Sequence, residues 1–270
     1  MMVLLTGASG GLGRAMAVEC ARRGYDLLLT DIAEAPLCQI KQGIERQFGV
    51  TVLTKACDLT SREELNALFV YIDEEGIRLG MLLNIAGIDF EGGFLSQPSA
   101  NIARIVQVNI EATLNVTHAA LHRRRKDGHF TIVNVSSLAS QYPIPLKATY
   151  AASKRFLLDF SVALAQELKS ENVTVTALCP GGLMTTREAL LGIAAQGIWG
   201  DLTTNDLGAV ARRTIDLALK GKRIYIPGCV NGILRILGRM VPGSLVAKLL
   251  YKRWHDAQGR WDAIEAARVR

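Results

Sequence analysis

The stretch MVLLTGASGGLG, residues 2–13, decides the fold. A short apolar run ends in a turn that carries Gly7, Gly11 and Gly13. A tight turn and a close approach of the backbone need residues without a Cβ atom. The helix behind such a turn offers free N–H groups and partial positive charge to a pyrophosphate, although a glycine turn without a ligand is the alternative. The stretch therefore predicts a strand, a phosphate-binding turn and a first helix at 11–23.

The same order of strand and helix is repeated along the chain. Short runs rich in leucine and β-branched residues, without strict alternation, are typical of strands buried on both faces of a parallel sheet. Such runs lie at 2–6, 26–30, 50–54, 81–86, 130–136 and 173–179, with a last strand in 223–228. Helices are predicted at 11–23, 34–48, 61–74, 101–126 and 149–170, with a further helix from a cap at 203–206 to about Lys220. This pattern predicts a single-domain, doubly wound α/β parallel sheet with helices on both faces. TSRE at 60–63 is predicted to cap the third helix.

The composition fits one large domain. The chain has 270 residues, 49% of them hydrophobic, and α/β folds of about 250 residues commonly form one domain. The five cysteines are scattered without a CxxC pair, which favours reduced thiols in a cytoplasmic protein. The first strand begins at Met2 and no apolar run approaches the roughly 20 residues of a membrane span. We therefore expect neither a signal peptide nor a transmembrane helix.

The positive charge is concentrated in the C-terminal part. Residues 229–270 carry eight Lys or Arg and three Asp or Glu, so about five of the six excess charges lie there. We predict a catalytic domain at 1–228 and a basic amphipathic extension at 229–270, with two short helices separated at Pro242 and Gly243. The extension packs on its own domain or a partner subunit, or it contacts a membrane surface. The net charge of residues 1–228 is close to zero, which argues against nucleic-acid binding.

Two further motifs are interpreted without a ligand. HAALH at 118–122 has two histidines four residues apart, but it lacks the glutamate base and the third ligand of a zinc site. RRRK at 123–126 ends a long helix, where cations complement the negative end of the helix dipole. We predict no metal site.

Asp31 ends the second strand, 18 residues after Gly13. A carboxylate at this point can accept hydrogen bonds from both adenosine ribose hydroxyls and repels a 2′-phosphate. An NADP site would favour an arginine at or just after this point, and Ile32 follows instead. The sequence therefore favours NAD over NADP. The alternative is that Asp31 is only a polar residue at the end of a strand.

YAASK at 150–154 places Tyr150 and Lys154 on one face of a helix. A free tyrosine has a pKa near 10, which is too high for a base at neutral pH. One ammonium about 5 Å away, at an effective dielectric near 20, contributes roughly 3 kcal/mol, or about two pKa units. The spacing predicts that Lys154 lowers the pKa of the phenol.

A series of motifs in this order resembles the short-chain dehydrogenase/reductase family. They are TGASGGLG at 6–13, Asp58 in CDLT, NIAG at 84–87, Asn109 in VQVN, NVSS at 134–137, YAASK at 150–154 and PGGLMT at 180–185. The resemblance runs from residue 2 to about residue 228. Ile85 departs from it, because the family usually has a second asparagine there. The resemblance implies a Rossmann-type fold and an oxidoreductase.

The resemblance also implies catalytic roles. Tyr150 would exchange a proton with the substrate oxygen, and Ser137 would donate a hydrogen bond to that oxygen. Lys154 would lower the pKa of the phenol and bind the nicotinamide ribose, and the oxidised nicotinamide ring would add a second positive charge. Asn109 is expected to hold a water that links Lys154 to solvent.

The cofactor-binding residues implied by the resemblance follow the motifs. They are Gly7, Ser9, Gly11, Leu12 and Gly13 in the glycine turn, Asp31 and Ile32 after the second strand, Asp58 and Leu59 at the adenine, Asn84, Ala86 and Gly87 along the cofactor, and Pro180, Gly181, Leu183 and Thr185 on the nicotinamide side, together with Tyr150 and Lys154. For Asp58, a simple helix cap stays open as the alternative.

The substrate region is apolar. Residues 186–203 are expected to form a lid, with Gln141, Tyr142 and Ile144 on the other wall, which suggests a hydrophobic secondary alcohol or ketone as the small-molecule substrate. The alternatives are an NADPH-dependent reductase of 3-oxoacyl chains and a dinucleotide-binding scaffold without turnover. By resemblance we expect a homo-oligomer, a dimer or a tetramer.

Overall fold

Seven parallel strands form one sheet in a computed structural model that describes residues 1–183 and 204–252. The strand order is β3-β2-β1-β4-β5-β6-β7. The strands are β1 Met2–Thr6, β2 Asp26–Asp31, β3 Val52–Ala56, β4 Leu79–Asn84, β5 Phe130–Val135, β6 Val173–Leu178 and β7 Ile224–Tyr225. The helices are α1 Gly11–Arg22, α2 Glu34–Phe48, α3 Arg62–Glu74, α4 Ser99–Val106, α5 Ala112–His122, α6 Ala148–Glu167, α7 Leu207–Leu219 and α8 Cys229–Met240. The predicted doubly wound α/β fold is confirmed.

Both faces of the sheet are buried, as the unbroken apolar runs predict. Val3 and Leu5 of β1 face a core cluster that also takes side chains from α1, α2 and α7. Leu4 faces the opposite cluster, which α3, α5 and α6 complete. Fully burying one such leucine contributes about 1.5–3 kcal/mol, so the helices on both faces follow from the composition of the strands.

The glycine turn after β1 has no room for side chains. Gly7 has a φ of 68°, and a Cβ atom there would lie 2.7 Å from the backbone nitrogen of Ala86. A Cβ atom on Gly13 would lie 2.1 Å from the carbonyl oxygen of Gly7. The close packing of α1 on this turn therefore depends on these two glycines.

The helix predicted at 101–126 differs in one respect from a regular α-helix. It runs from Ser99 to His122, and between α4 and α5 lies a π-helical turn at Gln107–Glu111. A π turn contains one residue more than the α-helical turn that it replaces, and the apolar periodicity of the sequence does not reveal this extra residue. Arg123 and Arg124, which follow the helix, pair with Asp73 and Glu171.

The capping box predicted at 60–63 is wrong by one residue. Ser61 is the N-cap of α3, and its hydroxyl accepts a hydrogen bond from the backbone N–H of Glu64. The carboxylate of Glu64 in turn accepts from the N–H of Asp58 at 2.7 Å. Strand bounds differ by up to three residues: β3 and β4 are each displaced by two from the predicted runs, and β7 ends three residues early, because pairing with the neighbouring strand and not apolar composition sets the ends of a strand.

The C-terminal part contains α8 and a second helix at 243–252, with Val241 and Pro242 between them. Helix α8 contacts the 3₁₀ turn Leu138–Gln141, and Ala247 of the second helix lines a cavity beside that turn. No helix in the described ranges is long and apolar enough to cross a bilayer. The division of the chain at residue 228 stays a prediction.

Gly13→Ala and Gly43→Ala give a matched test of the glycine turn. We expect Gly13→Ala to lower the free energy of unfolding by about 1–3 kcal/mol, because the new methyl group overlaps the Gly7 carbonyl. Gly43 lies within α2 with open space around a built Cβ, so Gly43→Ala should raise stability by about 0.5–1 kcal/mol. Urea unfolding followed by circular dichroism measures both. Equal stability of the two variants would contradict this account.

Candidate active site

The carboxyl ends of β1, β4, β5 and β6 lie along one edge of the sheet. In an open α/β sheet, ligands bind at this edge where the strand order reverses, here between β1 and β4. The Thr6 hydroxyl oxygen accepts hydrogen bonds from the backbone N–H groups of Ile85 and Ala86 at 3.2 and 3.3 Å. This contact joins the glycine turn to the NIAG segment, so two predicted motifs form one wall.

Helix α1 begins at this edge with its N-terminus open. Gly10 is the N-cap and, within the described residues, provides no side-chain cap. The first N–H groups of a helix need an acceptor, and an anion can supply it. The structure therefore places Gly11, Leu12 and Gly13 where backbone N–H groups can meet a phosphate.

Asp31 lies against the glycine turn. Its Oδ2 accepts from the backbone N–H of Ser9 at 2.9 Å and from the Ser9 hydroxyl at 2.5 Å. Its Oδ1 accepts from the N–H of Ile32 at 2.8 Å. Arg14 is exposed, and its Nε donates to the carbonyl oxygen of Ser9 at 2.8 Å. The carboxylate is thus fixed next to the glycine turn.

Asp58 follows β3 and is tied to the neighbouring helices. Its Oδ1 accepts from the N–H and the hydroxyl of Thr60, and its Oδ2 pairs with Arg104 of α4 at 3.0 Å. Burial raises the pKa of Asp58, but the hydrogen bonds from Thr60 and Arg104 outweigh it and lower the pKa. Ser61 caps α3, so Asp58 forms the turn before the helix. Leu59 packs against the core cluster beneath α3.

The side chain of Asn84 belongs to a buried polar network. Its Nδ2 donates to Thr117 Oγ1 at 2.9 Å and to Asn134 Oδ1 at 2.8 Å. Asn134 in turn donates to the Ser161 hydroxyl at 2.9 Å. The network joins β4, β5, α5 and α6, so this side chain holds the sheet to its helices. A cofactor contact of Asn84 stays a prediction.

Tyr150, Lys154 and Ser137 converge beyond the end of β5. The Lys154 Nζ atom lies 5.7 Å from the centroid of the Tyr150 ring and donates to the carbonyl oxygen of Val135 at 3.0 Å. A Cβ atom on Gly87 would lie 2.9 Å from this Nζ, so the ammonium is close to the NIAG segment. The Ser137 side chain is a hydrogen-bonding neighbour of the Tyr150 phenol, so the structure brings together the three predicted catalytic groups at the edge that carries the glycine turn.

The protein's own groups raise the pKa of Tyr150 overall, and the predicted lowering by Lys154 stays a prediction. Burial raises the pKa of Tyr150, and the carboxylates of Asp89 and Glu91 raise it further, whereas Ser137 and Lys147 lower it. Burial also lowers the pKa of Lys154 to about 8. Removal from water therefore outweighs the attraction between phenolate and ammonium that the spacing suggested.

Asn109 lies in the π-helical turn and is fully buried. Its Oδ1 accepts from the N–H of Ile88 at 2.8 Å, and its Nδ2 donates to the carbonyl oxygen of Ile88 and to the Ser153 hydroxyl, both at 3.0 Å. The amide thus fixes the backbone that follows β4 to α6. The expected water held by Asn109 stays a prediction.

The sequence analysis missed a charged cluster beside Tyr150. Lys147 pairs with Asp89 at 2.6 Å and with Glu91, and its Nζ lies 5.7 Å from the Tyr150 ring centroid. Lys147 precedes Tyr150 by three residues at the start of α6, and this spacing was the available signal. The two carboxylates follow β4, and no local pattern connects them to Lys147.

An apolar cavity of about 510 Å³ lies next to the segment that follows Ser137. Its walls include Tyr142, Pro143, Ile144, Ala148, Ala151 and Ala247. Two buried atoms of its lining, Gln141 Oε1 and Tyr142 Oη, have no hydrogen-bond partner among the described residues. The predicted wall residues therefore do line a cavity, and its size is that of a small-molecule site.

The remaining predicted residues lie at or beyond the end of β6. Pro180 is buried, and its carbonyl oxygen accepts from the N–H of Leu138 at 2.7 Å. Gly181 follows it, and Leu183 pairs with Asn205. Thr185 and the predicted lid at 186–203 lie outside the described residues. Within the ranges that are described, no group of three or more His, Cys, Asp or Glu could hold a metal ion.

Comparison with known proteins gives consistent matches. The family model described as short chain dehydrogenase matches residues 1–192. A very-long-chain 3-oxoacyl-CoA reductase from Laccaria bicolor is 32% identical over 177 residues, 65% of this chain and 52% of that protein. The chain thus spans about half the length of this curated relative.

Solved structures match over most of the chain. A bulky-bulky ketone specific alcohol dehydrogenase from Comamonas testosteroni is 26% identical with a TM-score of 0.73, and the match covers 84% of this chain and 85% of that chain. A short-chain dehydrogenase from Sphingobium yanoikuyae in complex with NADPH is 27% identical with a TM-score of 0.72, covering 99% and 93%.

Lys154→Met tests the cost of burying the ammonium. The folded-state pKa of about 8 lies below the ordinary 10.5, so between these values the unfolded chain holds a proton that the folded chain has lost. The stability of the wild type should therefore rise with pH through this window, by about 3 kcal/mol from this group. Lys154→Met should lack this increment. Urea unfolding at a series of pH values measures it, and parallel curves for the two proteins would contradict the burial argument.

Proposed function

The chain belongs to the short-chain dehydrogenase/reductase family, whose oxidoreductases act on CH–OH and carbonyl groups, and from this premise we propose that it interconverts a hydrophobic secondary alcohol and its ketone with NAD. The observation that carries the proposal is the convergence of Tyr150, Ser137 and Lys154 at the sheet edge that also carries the glycine turn.

The residues at this edge fit a dinucleotide. The uncapped start of α1 and the glycine positions that exclude a Cβ atom suit a pyrophosphate lying close to the backbone. Asp31 would accept from the adenosine ribose hydroxyls, and Lys154 would bind the nicotinamide ribose. When bound, the dinucleotide supplies hydride transfer, and the protein supplies position and charge.

Tyr150 is the group that holds the transferable proton in this proposal. Its pKa is raised by burial, so the phenol carries its proton at neutral pH and can donate it to a carbonyl oxygen. The Ser137 hydroxyl would hold that oxygen next to the phenol. In the oxidative direction the phenol would have to ionise first, which burial opposes. We therefore propose ketone reduction as the favoured direction near neutral pH.

NAD is the proposed cofactor because of the charge at Asp31. The carboxylate is held by Ser9 at the turn, and the residue that follows it, Ile32, is apolar and exposed, so this position does not offer the cation that a 2′-phosphate would favour. Arg14, which donates to the Ser9 carbonyl oxygen, is the cation among the described residues on this turn. A specific observation favours a second candidate, an NADPH-dependent reductase of 3-oxoacyl chains. The curated relative is named a 3-oxoacyl-CoA reductase, and the Sphingobium structure contains NADPH.

The cavity supports an apolar substrate in both cases. Alanine, proline, isoleucine and tyrosine side chains form most of its walls, and Arg155 also lines it. The buried Tyr142 hydroxyl and Gln141 oxygen belong to two lining residues, and we propose that they turn toward a polar group of the substrate. Burial raises the pKa of Tyr142, so its hydroxyl stays protonated and can donate. An apolar chain with one polar group matches this lining.

A reductase screen with Tyr150→Phe as control tests the proposal. We expect turnover of bulky ketones and of 3-oxoacyl thioesters, increasing with chain length, with NADH preferred over NADPH. Tyr150→Phe removes the proton donor and should lower kcat by about 10²–10⁴-fold while NADH binding, measured by fluorescence, is kept. A preference for NADPH would favour the second candidate. Binding without turnover on the whole panel would support a dinucleotide-binding scaffold.

The two C-terminal helices expose apolar side chains next to basic ones. The exposed apolar residues include Ile233, Ile236, Met240, Leu245 and Leu249, and Arg235, Lys248 and Lys252 lie among them. Between residues 229 and 252 the sequence contains no acidic residue. An apolar face with basic neighbours suits the surface of an anionic bilayer, and we propose this contact. A homo-oligomer and a cytoplasmic location also stay predictions.

Co-sedimentation of the full chain with phosphatidylcholine vesicles that contain about one third phosphatidylserine tests the contact. We expect binding that is lost in Ile236→Glu/Leu249→Glu and kept in Leu95→Glu, because Leu95 is a fully exposed leucine elsewhere. Vesicles of phosphatidylcholine alone should bind less. Equal pelleting of all three proteins would exclude the contact. A double variant that instead loses its oligomeric state would assign the face to a partner subunit.

A further inference from the structure

We propose that Lys147 is an electrostatic positioning residue, which holds Asp89 and Glu91 in ion pairs so that these two carboxylates do not face the phenol of Tyr150 uncompensated. The inference rests on the proposed role of Tyr150 as proton donor. It assigns to this chain a second lysine in the same site, with a role distinct from that of Lys154.

Lys147 lies at the junction of the three charged groups and the phenol. Its Nζ is 2.6 Å from the Asp89 Oδ2 atom and also contacts the Glu91 carboxylate. The same Nζ is 5.7 Å from the Tyr150 ring centroid, the distance that also separates Lys154 from that ring. The Lys147 side chain is only 12% exposed, so water screens these interactions weakly.

The backbone fixes the cluster from both sides. Asn109 binds the N–H and the carbonyl of Ile88, the residue before Asp89. The N–H of Gly92 donates to the carbonyl oxygen of Leu146 at 2.9 Å. Leu146 has a φ of 66°, a conformation that is costly for a leucine and persists only where its surroundings hold it. The loop after β4 and the start of α6 are thus joined next to Lys147.

Among the residues that the structure describes, the charges around the phenol balance when Lys147 is present. The charged and hydrogen-bonding groups that act on Tyr150 are Ser137 from the end of β5, Lys147 and Lys154 from the start and first turns of α6, and Asp89 and Glu91 from the loop after β4. Two ammonium groups offset two carboxylates. Asp89 and Glu91 raise the pKa of Tyr150, and Lys147 lowers it. Loss of Lys147 would therefore remove a positive charge that stabilises the phenolate and leave two negative charges that destabilise it.

The test follows Tyr150 directly by tyrosinate absorbance, as the difference between each protein and the same protein with Tyr150→Phe. We expect Lys147→Met to raise the midpoint of the Tyr150 titration by about one pH unit. Asp89→Asn should lower this midpoint by a similar amount. The double variant should lie near the wild type. Lys55→Met is the matched control, because Lys55 lies 5.5 Å from the ring centroid of another tyrosine, Tyr71.

The pH profile of kcat/KM should shift in the same directions, and Lys147→Arg, which keeps the charge, should restore the wild-type profile. A Lys147→Met protein that loses stability but leaves both the titration and the profile unchanged would overturn the proposal. If Lys147→Met does not fold, Asp89→Asn and Glu91→Gln are the deciding variants. An unchanged Tyr150 titration in both of them would also overturn the proposal. Absence of turnover in every protein would reject the proposed function, while the absorbance titration would still test the charge balance.

Discussion

The structure depends on the close approach of two backbone segments at the centre of the sheet. Gly7 lies against the backbone of Ala86 with no space for a side chain, and the Thr6 hydroxyl binds the N–H groups of Ile85 and Ala86. This contact sets the glycine turn next to the loop after β4, and that loop meets Lys154 and Asn109. A side chain at Gly7 would separate the glycine turn from the predicted catalytic groups.

Burial controls the chemistry of the site more strongly than the spacing of its charges. The same removal from water raises the pKa of Tyr150 and lowers the pKa of Lys154 to about 8. Each change favours the neutral form, but with a pKa of about 8 Lys154 still carries its proton at neutral pH, so the pair is held as a phenol beside an ammonium group. This arrangement is the basis of our proposal that Tyr150 gives a proton to a carbonyl oxygen and that the reverse reaction needs further positive charge.

The sequence predicts those features that depend on local pattern. The strands, the glycine turn and the face shared by Tyr150 and Lys154 follow from composition and spacing, and the structure has them. The contact of Lys147 with Asp89 joins residues 58 positions apart, and no spacing rule connects them. The direction of the Tyr150 pKa shift also escaped prediction. The attraction between phenolate and ammonium depends only on their spacing, whereas the larger effect is the cost of removing the phenolate from water.

The π-helical turn at Gln107–Glu111 makes the orientation of Asn109 depend on the number of residues in this helix. A π turn accommodates one residue more than an α-helix would over the same rise, and Asn109 lies within it. Removing a single residue here would restore regular winding and rotate the asparagine by about 100° around the helix axis. Its amide would then leave Ile88, although every amino acid of the site would still be present. The position of Asn109 therefore depends on the number of residues in this helix as well as on their identity.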